Sequence, residues 1–530
     1  MWESFKKKLC RLAAGGCAAL LMTAGAVQAQ DPTVDELKAR LEEQERKIEQ
    51  LQRLLESGGV RPVNGPADEA ATEKQVEKIV ADYLKADAER KRQEEEKKKK
   101  EAEAQGFEVG KDTVFTTRFN HGVHFQTADG AFRAALRGRW QMDWGWATAD
   151  PSVEPGLSPP GSLDDGVIFR RARLGIQGTI WEIADFVAEF DFANGNDIAF
   201  REVWMGVHDL PYIGSFRGGH FKEEFSLEQL TSSRYLTFIE RSINDDAFVE
   251  AYNPGFMVWQ TFADERIRAA TGIWRSQQQN DNGSADIGDG EYVWAGRLSA
   301  LPVWELNGRC LVHVGGAARI GEINQANLSG ATTPGVESRN FRTRPYRIDP
   351  HAFVSTGNIF ADLWDLYGVE AAIVRGPLSI QGEFFYSHLD DARTALVGGV
   401  PLGSVDFHGY YVFVSYFLTG EHRPYDRRFG VFTRPLVYEP FFLVEIGEDG
   451  CRGFCCGKGA WEVAARYAFL DLNNSGIRGG ELHQYTLGLN WYWNPNMKIQ
   501  WNYEYFEIEE TAGATNGDVQ TFVMRFAWDF

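Results

Sequence analysis

From about residue 107 onward, apolar and polar positions alternate. In 132–146, Phe132, Ala134, Leu136, Trp140, Met142 and Trp144 share one face, and Arg133, Arg137, Arg139, Gln141 and Asp143 share the other. In 171–180, Ala172, Leu174, Ile176 and Ile180 alternate with Arg171, Arg173, Gln177 and Thr179; in 184–192, Phe186, Phe190 and Phe192 oppose Asp185, Glu189 and Asp191. Successive side chains of a strand point to opposite faces, so a period of two predicts strands with one oily and one charged face. Strands of a soluble sandwich alternate as well. These segments differ in running to about ten residues or more, the length a tilted strand needs to cross a bilayer. They also carry large aromatics on the oily face near their ends, as barrels do at the two membrane interfaces.

The last stretch repeats the pattern: Phe522, Met524, Phe526, Trp528 and Phe530 alternate with Thr521, Val523, Arg525 and Asp529. An amphipathic final strand ending on Phe530 is similar to the signal read by the assembly machinery of bacterial outer-membrane barrels, and it is expected to end in the periplasm. Counting back from it gives sixteen strands, at 519–530, 497–507, 483–493, 460–471, 406–419, 377–388, 366–375, 309–320, 291–301, 266–275, 255–263, 213–221, 198–208, 184–193, 167–181 and 132–146. Bacterial barrels have an even number of strands. The short turns Arg375-Gly376-Pro377 and Asn494-Pro495-Asn496 then face the periplasm, and the longer segments 147–166, 276–290 and 321–365 face outward. One long segment, 420–459, falls on the periplasmic side against this trend. The predicted fold is all-β, a transmembrane antiparallel β-barrel of about sixteen strands over 107–530, preceded by a helical coiled-coil segment.

That preceding segment has a different period. Val34, Leu41, Ile48 and Leu55 fall seven apart, as do Leu37, Gln44 and Leu51. These are the a and d positions of a coiled coil, with Gln44 the one polar intruder; a single amphipathic helix fits the same spacing. The coiled coil is assigned to 30–57 and a helical, charged spacer to 58–106, with Gly58 to Pro66 breaking the helix between them. In the tract 91–103, Glu94, Glu95 and Glu96 interrupt the basic run, which speaks against nucleic acid as its partner. Residues 1–29 are expected to be an export signal. Lys6, Lys7, Lys8 and Arg11 precede an apolar run from Leu12 to Ala26, and Val27-Gln28-Ala29 offers small residues for cleavage.

Composition narrows the classes. Mean hydropathy is -0.35, and no run of about 18 apolar residues follows the N-terminus, so a polytopic helical membrane protein is excluded. The net charge of -20 argues against a nucleic-acid partner. Of six cysteines, Cys10 and Cys17 lie in the export signal. Cys451, Cys455 and Cys456 cluster without a nearby histidine, a poor zinc set; in an exported protein they are candidates for a local disulfide with one cysteine left over. No nucleophile elbow, phosphate-binding glycine loop or metal-binding histidine pair is present, so neither enzyme activity nor a cofactor is expected.

Several stretches of the barrel region resemble the phosphate-selective porin family, porins O and P. The most specific are Gly219-His-Phe-Lys-Glu-Glu-Phe-Ser-Leu-Glu-Gln-Leu-Thr-Ser-Ser233 and Ser415-Tyr-Phe-Leu-Thr-Gly-Glu421; Gly459-Ala-Trp-Glu-Val-Ala-Ala-Arg-Tyr467 and Leu487-Gly-Leu-Asn-Trp-Tyr492 are also typical. The resemblance spans 107–530 and implies a trimeric barrel passing phosphate or polyphosphate across the outer membrane. It implies that 221–239 folds inward as a constriction, where Ser232, Ser233 and Arg234 match positions offering hydroxyls and a cation. Arg170 and Arg171 match the family's paired cations, and Glu202 matches a family acid. The chain departs from the family at Glu224, where Pro often stands, and this extra carboxylate weakens an expectation of strict phosphate selectivity.

The strand pattern reaches a related expectation by itself. Arg133, Arg137 and Arg139 share one polar face, and Arg171 and Arg173 share that of the next strand. Guanidinium forks suit phosphate oxygens, and an anion-selective pore needs fixed positive charge along its lumen. Each of these arginines could equally be a lumen charge paired with Asp143, Asp185, Glu189 or Asp191. A general porin, and a tether joining the outer membrane to the cell wall through the coiled coil, are the competing functions.

Overall fold

The computed structural model describes residue 89 and residues 114–530, apart from 194, 196–197, 276–291, 324–337, 362, 395–398, 442, 447–451, 456 and 513–515. The chain divides into Met1–Glu108 and Val109–Phe530. The fold below is that of the second unit. But for Glu89, the expected export signal, coiled coil and spacer lie outside the described residues, as do Cys451, Cys456 and the side chain of Cys455.

Long alternating segments leave every backbone group of a strand needing a lateral partner, and in lipid only a closed sheet supplies them all. Among the described residues, sixteen long strands meet that need: β1 (Arg133–Ala149), β2 (Gly166–Ile180), β3 (Ala184–Asp191), β4 (Ala199–Leu210), β5 (Gly214–Lys222), β6 (Tyr252–Phe262), β7 (Ile267–Arg275), β8 (Tyr292–Glu305), β9 (Cys310–Glu322), β10 (Leu363–Arg375), β11 (Leu378–Arg393), β12 (Pro401–Phe417), β13 (Ala460–Asn474), β14 (Ile477–Asn494), β15 (Met497–Glu509) and β16 (Gly517–Asp529). Each pairs antiparallel with the next, and β16 closes the barrel on β1, with Asp529 opposite Arg139 and Val519 opposite Ala149. Every strand predicted from the alternation is present. The limits shift by a few residues: β12 begins at Pro401 and β14 at Ile477, ahead of the predicted 406 and 483.

The seam of β16 and β1 extends one rung further. Gly138 N donates to the Phe530 carbonyl (2.9 Å) and Phe530 N to the Gly138 carbonyl (3.0 Å). The Phe530 ring lies over Gly138, where any Cβ would collide with it. Below that rung a short strand, Val123–Thr127, takes over the edge of β1.

Burial is inverted relative to a water-soluble protein. Met205, Leu487 and Val369 are 73%, 62% and 60% exposed, whereas Arg525, Asp143, Glu462 and Asn490 are at most 2% exposed. The outer surface is therefore apolar and the lumen polar, the arrangement of a transmembrane barrel. Aromatics gather toward both rims of the outer surface. Tyr367 meets Tyr386, Tyr467 meets Tyr485 and Tyr485 meets Tyr505 on one side; Trp140 meets Trp528 and Trp461 stacks on Trp491 near the other.

The connections differ between the two ends. At the end holding Phe530, here the terminal end, the links 181–183, 211–213, 263–266, 376–377 and 495–496 are short. The exception is 418–459, as the strand count anticipates. Part of it turns back into the lumen: Arg423 donates to Ser379 and Gln381, Arg297 reaches the Gly430 carbonyl (2.8 Å), and the Tyr425 hydroxyl bonds His313 (2.8 Å). From the far end, loop 223–251 also folds inward, and Phe341, Phe353 and Val354 of the 323–362 connection pack with it. Phe225, Phe238, Ile243 and Phe248 of loop 223–251 join them in one apolar core against Trp364, Phe385, Phe407 and Phe413 of the wall. A Cβ at Gly368 would sit 2.8 Å from the Phe225 ring, so the absence of a side chain there makes room for the loop. One side of the lumen is thus filled, and open space remains along β1 to β7.

Candidate functional site

Loop 223–251 sets the shape of that open space. Its first short helix, α1 (Leu227–Leu230), is capped by Ser226, whose Oγ accepts from Gln229 N (3.1 Å). The free N–H groups of Leu227 and Glu228 donate to Glu383 of β11 at 3.1 and 2.7 Å, satisfying donors that a helix start leaves open. After α1 the chain is extended, and the wall holds its carbonyls. Lys498 Nζ donates to the Leu236 carbonyl (2.9 Å), Asn490 to that of Thr237 (2.7 Å) and Arg525 to that of Ile239 (2.5 Å). The second helix, α2 (Ile243–Phe248), is capped by Ser242. Thr231 closes α1 with a bond to the Leu227 carbonyl (2.7 Å), while Ser232 and Ser233 lie beyond the helix.

Two cavities adjoin the loop. One, of about 470 Å³, lies toward the far end and is lined by ten cationic side chains and five carboxylates. The other, of about 600 Å³, opens toward the terminal end. Both are lined by Arg137, Glu202, Lys222, Leu230 and Ser232, so these residues mark where one passes into the other.

Two β-bulges enrich this wall. Gln141 pairs with Arg171 and Met142 with Phe169, which leaves Arg170 as the extra residue of β2. Ala188 pairs with Val203 and Phe190 with Phe200, so Arg201 and Glu202 together oppose Glu189. A bulge breaks strict alternation, and at both places two neighbouring charged residues reach the same cavity: Arg170 with Arg171, and Arg201 with Glu202.

Residues 162–530 match the family model described as phosphate-selective porin O and P. The chain belongs to that family. It is 23% identical to porin O of Pseudomonas aeruginosa over 449 residues, covering 79% of this chain and 93% of that one. A Caulobacter vibrioides protein is 26% identical over 409 residues, 74% of this chain and 72% of that one. Among solved structures, an anion-selective porin from Comamonas acidovorans superposes with a TM-score of 0.45 at 13% identity, over 75% of this chain and 100% of that one. The outer-membrane channel DcaP of Acinetobacter baumannii gives 0.44 at 10% identity, over 76% and 99%. This porin is an outer-membrane channel, not an enzyme.

Most lumen cations of the porin are neutralised in place. Arg139 bonds Glu189 (2.7 and 3.0 Å) and Ser233 Oγ (2.5 Å). Arg173 bonds Asp191 (2.7 Å) and Glu189 (3.3 Å). Arg170 holds Glu240 with two bonds (2.9 and 3.1 Å), Arg171 lies 3.6 Å from it, and Arg525 joins Glu240 to Asp143. Burial opposes the charge on Glu240, but the guanidiniums of Arg170, Arg171 and Arg525 hold its carboxyl well below the usual carboxylate range. For Arg139 and Arg173 the paired alternative raised by the sequence therefore holds.

Arg137, Lys222 and Arg344 are different. Arg137 donates to Gln177 (2.5 Å) and Lys222 to the Gln229 carbonyl, and none of the three pairs with a described carboxylate. Ser232 lines both cavities and Ser233 the far one. Arg234 does not line either. It turns to the opposite side of the loop, 3.2 Å from Asp529 and 3.6 Å from Glu189, in a small cavity with Tyr235 and Arg434. Burial, then Arg139 and Arg137, lower its pKa to about 9. Arg234 is thus placed beside the carboxylates of Asp529 and Glu189, outside the lining of the two larger cavities. Lys222, Arg241 and Arg344 were not singled out from the sequence. Lys222 stands within the Gly219–Ser233 motif, and its place at the inner end of β5 was the available signal.

Proposed function

We propose that this porin passes small anions, phosphate or polyphosphate among them, by passive uptake along the wall of β1 to β5. The observation that carries the proposal is the pair Arg137 and Lys222, without carboxylate partners where the two cavities join. An anion arriving from the far cavity exchanges water for the guanidinium of Arg137, the ammonium of Lys222 and the hydroxyl of Ser232. Fixed charge against a low-dielectric wall raises the local anion concentration. The paired arginines around this point, Arg139, Arg170, Arg171 and Arg173, keep the field positive without forming one deep trap, which suits conduction. Glu202 stands at the same junction and accepts from Trp204 Nε1 (2.7 Å), a brake on anion affinity.

In a planar bilayer with a potassium chloride gradient, the reversal potential should report preference for chloride, and added phosphate should block the chloride current. A potassium-preferring pore would replace this reading with that of a general porin. The rest of the proposal concerns assembly. The terminal end faces the periplasm, residues 1–29 are removed on export, the 30–57 coiled coil and 58–106 spacer lie in the periplasm near the cell wall, and three chains form a trimer in outer-membrane lipid. A native mass of one chain in mild detergent would refute the trimer.

A further inference from the structure

Glu224 occupies an unusual place. It stands two residues after Lys222, is 2% exposed and lines the terminal-side cavity. Arg268 of β7 donates to both its oxygens, Nη1 at 2.9 Å and Nη2 at 2.8 Å. Arg217 of β5 lies 3.7 Å from it and lines the same cavity. The Arg217 guanidinium has no other carboxylate within pairing distance among the described residues. It is held over the rings of Phe221, Trp204 and Trp259, at 4.6, 5.2 and 5.3 Å from their centroids. Those rings fix where its charge points, and Glu224 shares its neutralisation with Glu202, which lines the same cavity. Glu224 therefore lies within pairing distance of two buried cations beside the path.

We propose that Glu224 sets the anion affinity of the terminal-side cavity, as the shared counter-charge of Arg217 and Arg268. With Glu224 ionised, Arg268 is held by a bidentate pair and Arg217 is partly compensated, so anions leaving Arg137 and Lys222 meet a weak field and move on. Without that charge, both guanidiniums turn attractive and the exit side becomes a second holding site. A bidentate fork of this kind is strong and directional, so Glu224 stays with Arg268 and does not itself face a passing anion. This inference rests on the anion path proposed above and adds what limits it.

The test uses the full-length porin in bilayers, with chloride current and inorganic phosphate as probe. Glu224→Gln keeps the shape and removes the charge. It should raise the chloride-to-potassium permeability ratio and tighten phosphate block by about threefold to tenfold, the scale of one lumen charge in a focused field. Arg268→Gln should shift both in the opposite direction. The double variant removes one charge of each sign, so it keeps the net charge of the lumen and assembles even where a single variant does not; it should return close to the wild-type ratio. An unchanged ratio and block in Glu224→Gln overturns the proposal, as does a double variant shifted as far as Glu224→Gln. The wild-type reversal potential judges the anion path separately, because the proposal here concerns only the change between variants.

Discussion

Removal of Phe530 is expected to lower the amount of assembled barrel in the membrane by at least about tenfold. Phe530 makes two backbone hydrogen bonds with Gly138, and its ring covers that position of β1, where no side chain competes for the space. Nearby, Trp528 lies 5.6 Å from Phe530 and 4.5 Å from Trp140, so the ring also completes an aromatic cluster at the rim. A backbone group left unpaired at a membrane-facing seam costs several kcal/mol, and each 1.4 kcal/mol or so is a factor of ten. Heat-modifiable migration of the membrane fraction on a gel measures the outcome. Gly138→Ala should produce a smaller defect of the same kind, because its methyl group displaces the ring while keeping the hydrogen bonds. Equal yields from wild type and the Phe530 deletion would show that the seam closes without this rung.

The second large effect concerns the lumen. Arg137→Gln should weaken phosphate block of the chloride current by roughly tenfold or more, the equivalent of one charge-assisted hydrogen bond of about 1.5–3 kcal/mol. Arg234→Gln should change block by less than about threefold, since that guanidinium is turned to Asp529 and Glu189 and acts on the lumen only through distance. Its effect should be on stability, because it leaves buried carboxylates short of a partner. Arg275→Gln, at the far end of β7, serves as a rim control. A strong loss of block in the Arg234 variant with none in the Arg137 variant would reverse the roles assigned to the two faces of the loop.

How much of this could be read from the sequence depends on which force acts where. Along the strands, lipid on one side and water on the other impose a period of two, so the faces of Arg137, Arg139 and Arg173 are evident from their neighbours. The same period fails at Arg170. Strict alternation puts it opposite Arg171, and only the bulge against Met142 brings both to Glu240. Inside the lumen the period has no hold. Ser232 and Arg234 sit two residues apart in an irregular loop, and their directions are set by Asp529, Glu189 and the carbonyls gripped by Lys498, Asn490 and Arg525. All of these partners but Glu189 lie hundreds of residues away in the chain. The return of 418–459 into the barrel belongs with these: its length was conspicuous, but its destination depends on Arg297, His313 and Gln381, one on each of three strands.

The two bulges bear on how such a lumen can change over generations. A substitution alters one side chain, whereas adding or removing one codon is expected to turn a strand inside out and present its charges to lipid. At Arg170 and at the Arg201–Glu202 pair the extra residue is absorbed locally, and the partners on either side keep their places. At these two points a single-codon insertion or deletion can add or subtract a charge in the channel while every other residue of the strand keeps its face, so the wall can gain or lose cations by a route closed to the regularly paired stretches of the barrel.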